Sequence, residues 1–297
     1  LMTTASAEDG SFSFENIPYG TWYVREIEQP AGFVLDDTIY PVTIGADGQV
    51  VEIKIVNKYV RGNIHLTKVD SEYPDNKLTG ATFEVYKDSN ANGKLDDGDE
   101  LLGTLTEKEK GEYSMNDLFY GRYFVKETKA PEGFVLDTGV YEVMIDTNGK
   151  TCEVENKAGV GFINDAMRGN LKIVKTSSDG KVKGFAFRIT GANGYDIILE
   201  TNDKGEIFID GLRIGDYTIS EVSNSASSMY VIPADKKATV KLGSTTIVEM
   251  HNVLRDTPKT GDTTNLPLLY TLAGLSAVGI AVCGVIGFKK KKKEDRN

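Results

Sequence analysis

Apolar and polar residues alternate over runs of about four to eight residues through most of the chain, and these runs are rich in Val, Ile, Tyr and Phe. Turn-forming pairs such as Asp47-Gly48, Asn148-Gly149 and Lys204-Gly205 separate the runs. Alternation puts successive side chains on opposite faces of a strand, and no helical spacing of useful length interrupts it. The sequence therefore predicts an all-β protein of short antiparallel strands, built as Ig-like β-sandwiches.

Three segments repeat a pattern of a glycine followed by an aromatic strand that ends in glutamate, at residues 17–26, 118–127 and 212–221. A second repeat, Arg-Gly-Asn followed by alternating residues, begins at Arg61 and again at Arg168. The spacing is that of whole domains rather than of a solenoid. We expect a C-terminal part of a truncated sandwich at 1–60 (the first domain), a complete second domain at 61–157, a linker at 158–167 and a complete third domain at 168–254.

Charged and amide side chains occur where the strand alternation requires core residues. Lys68 continues the phase of Ile64 and Leu66. The other such positions are Lys175, the glutamates Glu26, Glu127 and Glu221, and the asparagines Asn57, Asn156 and Asn252. Isolated buried charges are disfavoured by several kcal/mol, so we expect the three residue types to meet.

Burial lowers the pKa of lysine and raises that of glutamate, so that both can be neutral in an apolar core. A neutral amine is a nucleophile, and a neighbouring acid can polarise an asparagine amide. Attack of the lysine Nζ on the asparagine Cγ would release ammonia and leave an isopeptide cross-link. The chain would need no enzyme activity beyond this autocatalytic step, and no cofactor.

These residues resemble the SpaA-like (Cna B-type, prealbumin-like) domains of Gram-positive adhesins and pilins. The opening L-x-K motif of that family is matched by 66–68 and 173–175. Its E-x-x-A-P-x-G-[YF] motif is matched by 127–134, with a near copy at 26–33, whereas no A-P-x-G follows Glu221. The resemblance implies a prealbumin-like fold, with glutamate as the catalytic residue of each cross-link. The implied triads are Lys68–Glu127–Asn156 and Lys175–Glu221–Asn252.

Two assignments in these triads depend on spacing alone. Asn164 is an alternative to Asn156, because it precedes Gly169 by five residues as Asn57 precedes Gly62. We prefer Asn156, because its distance from the preceding Gly-Phe pair is closer to that in the first domain. The first domain has Glu26 and Asn57, and we expect its lysine strand to lie upstream of residue 1.

Residues 88–99 have the spacing of a calcium-binding loop, with glycine at loop position 6 and an apolar residue at position 8. The alternative is an Asx-rich turn that only water solvates. The predicted Ca²⁺ ligands are Asp88, Asn90, Asn92, Lys94 through its carbonyl, Asp96 and Asp99.

The C-terminus combines a linker at 255–265, an uncharged run at 266–288 and a lysine-rich tail at 289–297. The run is long enough for a transmembrane helix, and the lysines predict a cytoplasmic tail. With the preceding pentapeptide this order resembles a cell-wall sorting signal of the LPXTG type, although Thr stands where Leu is usual. The resemblance implies that a sortase cleaves between Thr and Gly and joins the threonine to peptidoglycan. The motif residues are Thr257, Pro258, Lys259, Thr260 and Gly261.

Net charge, cysteine content and the first residues of the chain bear on its partners, its covalent links and its export. The 44 Asp and Glu against 34 Lys and Arg give a net charge of −10, which argues against a nucleic-acid partner. The two cysteines are not expected to pair. No signal-peptide pattern opens the chain, so we expect the C-terminal part of a longer exported protein.

These features together favour a secreted, wall-anchored stalk that passes through a single-pass membrane precursor. The alternatives are an adhesin or pilus subunit that contacts a host surface or matrix protein, and the anchor region of a surface hydrolase.

Overall fold

The predicted alternation of residues forms β-strands throughout the computed structural model, which describes residues 1–255. The described chain divides into two compact units, Leu1–Met167 and the residues from Arg168 onward. The first unit contains the first and second domains, and the second unit contains the third. Within residues 1–255, the only helical element is a single 3₁₀ turn at Ala192–Gly194. The predicted all-β sandwich class is confirmed.

The first domain is a partial sandwich. Its four strands form two separate two-stranded sheets, β1 with β3 and β2 with β4. None of residues 1–59 is fully buried. The strands are β1 (Gly20–Val24), β2 (Phe33–Val34), β3 (Tyr40–Ile44) and β4 (Lys58–Tyr59).

The second domain is a sandwich of a four-stranded and a five-stranded sheet. Its strands are β5 (Arg61–Asp70), β6 (Thr82–Lys87), β7 (Glu100–Thr104), β8 (Thr106–Glu109), β9 (Glu112–Phe119), β10 (Gly121–Lys129), β11 (Val140–Ile145), β12 (Thr151–Glu153) and β13 (Phe162–Asn164). One sheet has the order β11-β10-β6-β7, and the other has β12-β5-β9-β8 with β13 also paired to β5. Apolar side chains of both sheets are buried between them, among them Ile64, Leu66, Phe83, Val85, Tyr123 and Val125.

The last strand of the second domain is interrupted. Both β12 and β13 run parallel to β5, but β12 is offset from β5 by 88 residues (Thr151 beside Asn63) and β13 by 94 (Phe162 beside Lys68). Six additional residues therefore leave the sheet between the two halves of one strand. The predicted linker 158–167 differs from the structure here, because β13 belongs to the sandwich.

The third domain repeats this architecture without the interruption. Its strands are β14 (Arg168–Ser177), β15 (Ala186–Thr190), β16 (Asp196–Glu200), β17 (Glu206–Arg213), β18 (Gly215–Val222), β19 (Tyr230–Val231), β20 (Lys236–Val240) and β21 (Thr245–Leu254). The two sheets have the orders β17-β14-β21-β19 and β16-β15-β18-β20. Strand β21 runs parallel to β14 with one continuous register from Asn170 beside Thr245 to Ser177 beside Asn252.

The glycine of each Arg-Gly-Asn repeat lies where the first strand closely approaches another segment. A Cβ on Gly62 would lie 2.9 Å from both the Ile145 side chain and the Lys150 carbonyl oxygen. A Cβ on Gly169 would overlap the Lys241 carbonyl oxygen and contact Val240. The glycine of the repeat is therefore required by the close packing of the first strand.

Gly169→Ala is expected to destabilise the third domain by about 1–3 kcal/mol, because the backbone at Lys241 must shift to accept the methyl group. Thermal unfolding followed by circular dichroism would measure the change. Gly45→Ala is the matched control, since its Cβ would meet only the Gln49 side chain, at 3.8 Å. An unchanged unfolding midpoint for Gly169→Ala would contradict this packing argument.

Candidate cross-linking sites

The second domain buries a lysine and a glutamate between its sheets. Lys68 on β5 and Glu127 on β10 are both 0% exposed. The Lys68 Nζ donates a hydrogen bond to the Phe162 carbonyl at 3.0 Å and lies 5.4 Å from the centroid of the Phe162 ring. Strand alternation places Lys68 in this core, as the sequence predicts.

Asn164 on β13 is the asparagine that contacts Glu127. Its Nδ2 donates to the Glu127 Oε2 at 2.8 Å and to the Val135 carbonyl at 2.5 Å. The residue is 3% exposed. The other carboxylate oxygen of Glu127 and the Asn164 Oδ1 are buried without a hydrogen-bond partner, so the pair is only half satisfied internally.

Asn156, which the sequence favours, is placed elsewhere. Its Nδ2 donates to the Asp137 Oδ2 at 2.6 Å and to the Ile163 carbonyl at 2.8 Å, and its Oδ1 accepts from the Ile163 N–H at 2.7 Å. The structure thus brings Asn164 to Glu127, where spacing favoured Asn156. The spacing from the Gly-Phe pair favoured Asn156 because it did not allow for the six additional residues between β12 and β13, which displace the later residues along the sequence.

The third domain brings together the three predicted residues of its triad. Lys175 on β14, Glu221 on β18 and Asn252 on β21 are all buried. The Asn252 Nδ2 donates to the Glu221 Oε1 at 2.7 Å. The Lys175 Nζ donates to the Thr176 carbonyl and lies 4.1 Å from the centroid of the Phe185 ring.

The two complete sites have the same register. Asn164 lies beside Asp70, two residues after Lys68. Asn252 lies beside Ser177, two residues after Lys175. In parallel strands, residues two apart point to the same face, so each asparagine and lysine project into the same core from adjacent strands. This equivalence supports Asn164 independently of its hydrogen bonds.

Burial dominates the electrostatics of both sites. It lowers the pKa of Lys68 to about 8, although the carboxylates of Glu127, Asp137 and Asp70 oppose the shift. It lowers the pKa of Lys175 in the same way. Burial raises the pKa of both Glu127 and Glu221, because the charged carboxylate loses its hydration.

The first domain has the same glutamate–asparagine pair. The Asn57 Nδ2 donates to the Glu26 Oε2 at 2.7 Å and to the Val34 carbonyl at 3.1 Å, and both residues are half-buried. Residues 1–60 form no strand equivalent to β5 or β14. The pair therefore has the geometry of the second-domain site without the strand that carries the lysine there.

The sequence interpretation missed an aspartate and a tyrosine beside each of the first two sites. Asp137 donates its N–H to Glu127 and accepts the Tyr141 hydroxyl. Asp36 makes the same two contacts with Glu26 and Tyr40. The signal was present as the repeated Phe-Val-Leu-Asp at 33–36 and 134–137, each followed four residues later by tyrosine.

The predicted calcium loop folds around its own side chains. The Asp88 carboxylate accepts the backbone N–H groups of Asn92 at 3.1 Å and Gly93 at 3.1 Å, and the Arg122 guanidinium lies 3.4 Å away. The amides of Asn90 and Asn92 both donate to Asp96. Across residues 1–255, no three His, Cys, Asp or Glu side chains are grouped as a metal site.

The predicted sorting signal and its neighbours lie outside the described residues. This applies to the motif Thr257, Pro258, Lys259, Thr260 and Gly261, to the span 266–288 and to the tail 289–297. Among residues 1–255, no helix has the length and apolar character needed to cross a membrane.

Known proteins resemble this chain across the domains just described. It is 28% identical over 204 residues to the trypsin-resistant surface T6 protein of Streptococcus pyogenes, a match of 58% of this chain and 35% of the relative. It is 23% identical over 251 residues to Colossin-A of Dictyostelium discoideum, a match of 74% of this chain and 2% of the relative. The chain therefore matches only part of the length of each.

Among solved structures, the Bacillus anthracis TIE protein is similar at a TM-score of 0.63 and 26% identity, covering 83% of this chain and 44% of that one. The family model for the SpaA prealbumin-like fold domain matches residues 1–59, 62–158 and 169–253. The matched family agrees with a structural rather than an enzymatic role. This chain belongs to the SpaA family of prealbumin-like domains, which it contains in three successive copies.

Proposed function

We propose that this chain is part of a Gram-positive cell-surface stalk, joined to peptidoglycan by a sortase and reinforced by Lys–Asn isopeptide bonds. The main support for the cross-links is that the second and third domains each bury a lysine, a glutamate and an asparagine at equivalent positions. The proposed bonds join Lys68 to Asn164 and Lys175 to Asn252.

The proposed reaction exchanges one amide for another. The neutral Lys68 Nζ attacks the Asn164 Cγ, a new N–C bond forms, and the Cγ–Nδ2 bond breaks. One proton moves from the lysine nitrogen to the departing ammonia. Glu127 is suited to relay this proton, because it already contacts the Asn164 Nδ2 and burial favours its protonated form. Glu221 and Asn252 are related in the same way.

The mechanical consequence follows from strand order. Each bond would join the first strand of a domain to its last, and these strands are adjacent and parallel. Each bond would close the loop between its two residues, Lys68 to Asn164 or Lys175 to Asn252. By analogy with a disulfide, this contributes roughly 4–5 kcal/mol to the free energy of unfolding, because it restricts the unfolded chain. Tension applied at the two ends would pass through the bond and spare most of the domain. A stalk exposed to shear needs this property.

The surface location draws support from a relative and from the C-terminal sequence. The Streptococcus pyogenes relative is by name a trypsin-resistant surface protein. Internal cross-links would make this chain more resistant to proteolysis, because a cross-linked sandwich opens less often. The pentapeptide, apolar run and basic tail occur in the order of a sorting signal.

The first prediction is a mass deficit of two ammonia molecules in the folded chain, one from each complete domain. Asn164→Ala should remove one deficit and Asn252→Ala the other, because each variant lacks a carbonyl for the lysine to attack. Intact-mass spectrometry after proteolytic separation of the domains assigns each loss. Asn156→Ala is the matched comparison and should reach the same final mass deficit as the unsubstituted chain. An unshifted mass in the unsubstituted chain would contradict the cross-links.

The second prediction concerns anchoring. When the chain is exported in a Gram-positive host with a sortase, Thr260→Ala should move most of the protein from the wall fraction, because its carbonyl is the proposed acyl group. Immunoblotting of wall and membrane fractions measures this, with Thr263→Ala as the control outside the motif. Retention of Thr260→Ala in the wall at the level of the control would rule out the proposed attachment.

The third prediction concerns calcium, which we propose binds the loop 88–99 of the second domain. The Asp88 side chain is 2% exposed, and backbone N–H groups already orient it. Calorimetric titration with Ca²⁺ should give saturable binding that Asp88→Ala abolishes and Asp97→Ala preserves, because loop position 10 supplies no ligand. No heat of binding in the unsubstituted chain would refute the site and leave the Asp88–Arg122 contact as the cation interaction of this loop.

A further inference from the structure

Asp137 lies in the segment between β10 and β11 and links the backbone there to Glu127. Its N–H donates to the Glu127 Oε2 at 2.8 Å, the same oxygen that accepts the Asn164 amide. Its carboxylate accepts the Gly139 N–H at 2.6 Å and the Tyr141 hydroxyl at 2.7 Å. These two contacts fix the turn, and the turn aims the Asp137 N–H at Glu127.

The first domain builds the same arrangement from its own residues. The Asp36 N–H donates to the Glu26 Oε2 at 2.7 Å. The Asp36 carboxylate accepts the Thr38 N–H at 3.0 Å and the Tyr40 hydroxyl at 2.5 Å. The first and second domains thus hold the glutamate by the same set of hydrogen bonds.

The third domain lacks this set of hydrogen bonds and provides an internal comparison. The Glu221 Oε1 accepts the Asn252 amide, and its Oε2 is buried without a partner. The segment after Glu221 contains no counterpart of the Leu-Asp-x-x-x-Tyr sequence. The carboxyl group of the third domain is therefore held by one fewer hydrogen bond than that of the second.

A backbone N–H on one oxygen also decides which oxygen carries the proton. An N–H donor and an amide donor both occupy the Glu127 Oε2, so the proton of the neutral acid belongs on Oε1. A carboxyl group fixed in this way stays in contact with the leaving nitrogen while a proton passes through it. Fixed orientation of a proton-transfer group is a recognised source of rate acceleration.

We propose that Asp137 is a positioning residue for the cross-linking reaction, acting through Glu127. The inference rests on the proposed isopeptide chemistry and adds a residue to it. The same reasoning gives Asp36 this role toward Glu26.

The charge on Asp137 adds a second, separable effect. Hydrogen bonds from Asn156, Gly139 and Tyr141 outweigh the effect of burial and keep the pKa of Asp137 below its usual value. The ionised carboxylate raises the pKa of both Glu127 and Lys68. Two other titratable groups face this cluster: Tyr141 on β11 donates its hydroxyl to Asp137, and the charge of Asp70 on β5 raises the pKa of Lys68. Removing this charge alone would therefore lower the pKa of the amine and of the acid together.

The test follows ammonia loss from each domain with time. The full chain is isolated unfolded from inclusion bodies and refolded by dilution at a series of pH values, and mass spectrometry of digested samples reports each cross-link. Asp137→Ala should slow the second-domain reaction at least tenfold, because the turn that orients the N–H is lost. The third-domain reaction in the same molecules should keep its rate and serves as the internal control for the refolding conditions.

Asp137→Asn separates orientation from charge. Its side-chain oxygen can still accept the Gly139 N–H, so most of the rate should return relative to Asp137→Ala. The reaction needs a neutral Lys68 and a protonated Glu127, and the loss of charge lowers both pKa values. The pH optimum of the second-domain reaction should therefore move to lower pH, which a purely structural role would not cause.

The outcomes distinguish this inference from the one on which it rests. A second-domain rate in Asp137→Ala equal to that of the unsubstituted chain overturns the positioning role alone. An Asp137→Asn profile with an unchanged optimum overturns the charge effect. Absence of ammonia loss from both domains of the unsubstituted chain overturns the cross-link itself and this role with it.

Discussion

The burial of an amine and a carboxyl group in one small apolar core is the constraint on which the second and third domains depend. A buried ion without a partner is strongly unfavourable, so Lys68 and Glu127 must be neutral, paired or consumed. Their opposite pKa shifts arise from the same loss of hydration. The surrounding rings of Phe162, or of Phe185 in the third domain, keep water away and provide a face for the amine.

Adjacent parallel first and last strands follow from this constraint. The lysine and the asparagine must reach the same point in the core, and only neighbouring strands in a fixed register hold them there. The second domain satisfies the register although six residues leave its last strand before Asn164. The third domain satisfies it with one unbroken strand. The register at the site is thus retained while the path of the chain toward it varies.

The sequence was sufficient for features that obey a local period. Alternation placed Lys68, Glu127, Lys175, Glu221 and Asn252 in the core, because each lies in an uninterrupted strand. It could not choose between Asn156 and Asn164, because six additional residues between β12 and β13 interrupt the alternation. Residue spacing measured across this interruption does not identify the asparagine that faces the core. The role of Asp137 was missed because it depends on a backbone N–H, which every non-proline residue has. Only the repeat of Phe-Val-Leu-Asp with a following tyrosine in the first two domains marked the position.

The hydrogen bonds around Asn164 show how a cross-link would change the requirements of its site. Its Nδ2 donates two hydrogen bonds, to Glu127 and to Val135. An isopeptide nitrogen carries a single hydrogen, so the product could donate to only one of these two acceptors. The Glu127 Oε2 would still accept the Asp137 N–H, so this oxygen would keep a donor whichever bond is kept. Glu221 has no such second donor in the described structure and would depend on the product amide alone. The backbone contact from Asp137 would therefore serve the cross-linked state as well as the reaction that leads to it.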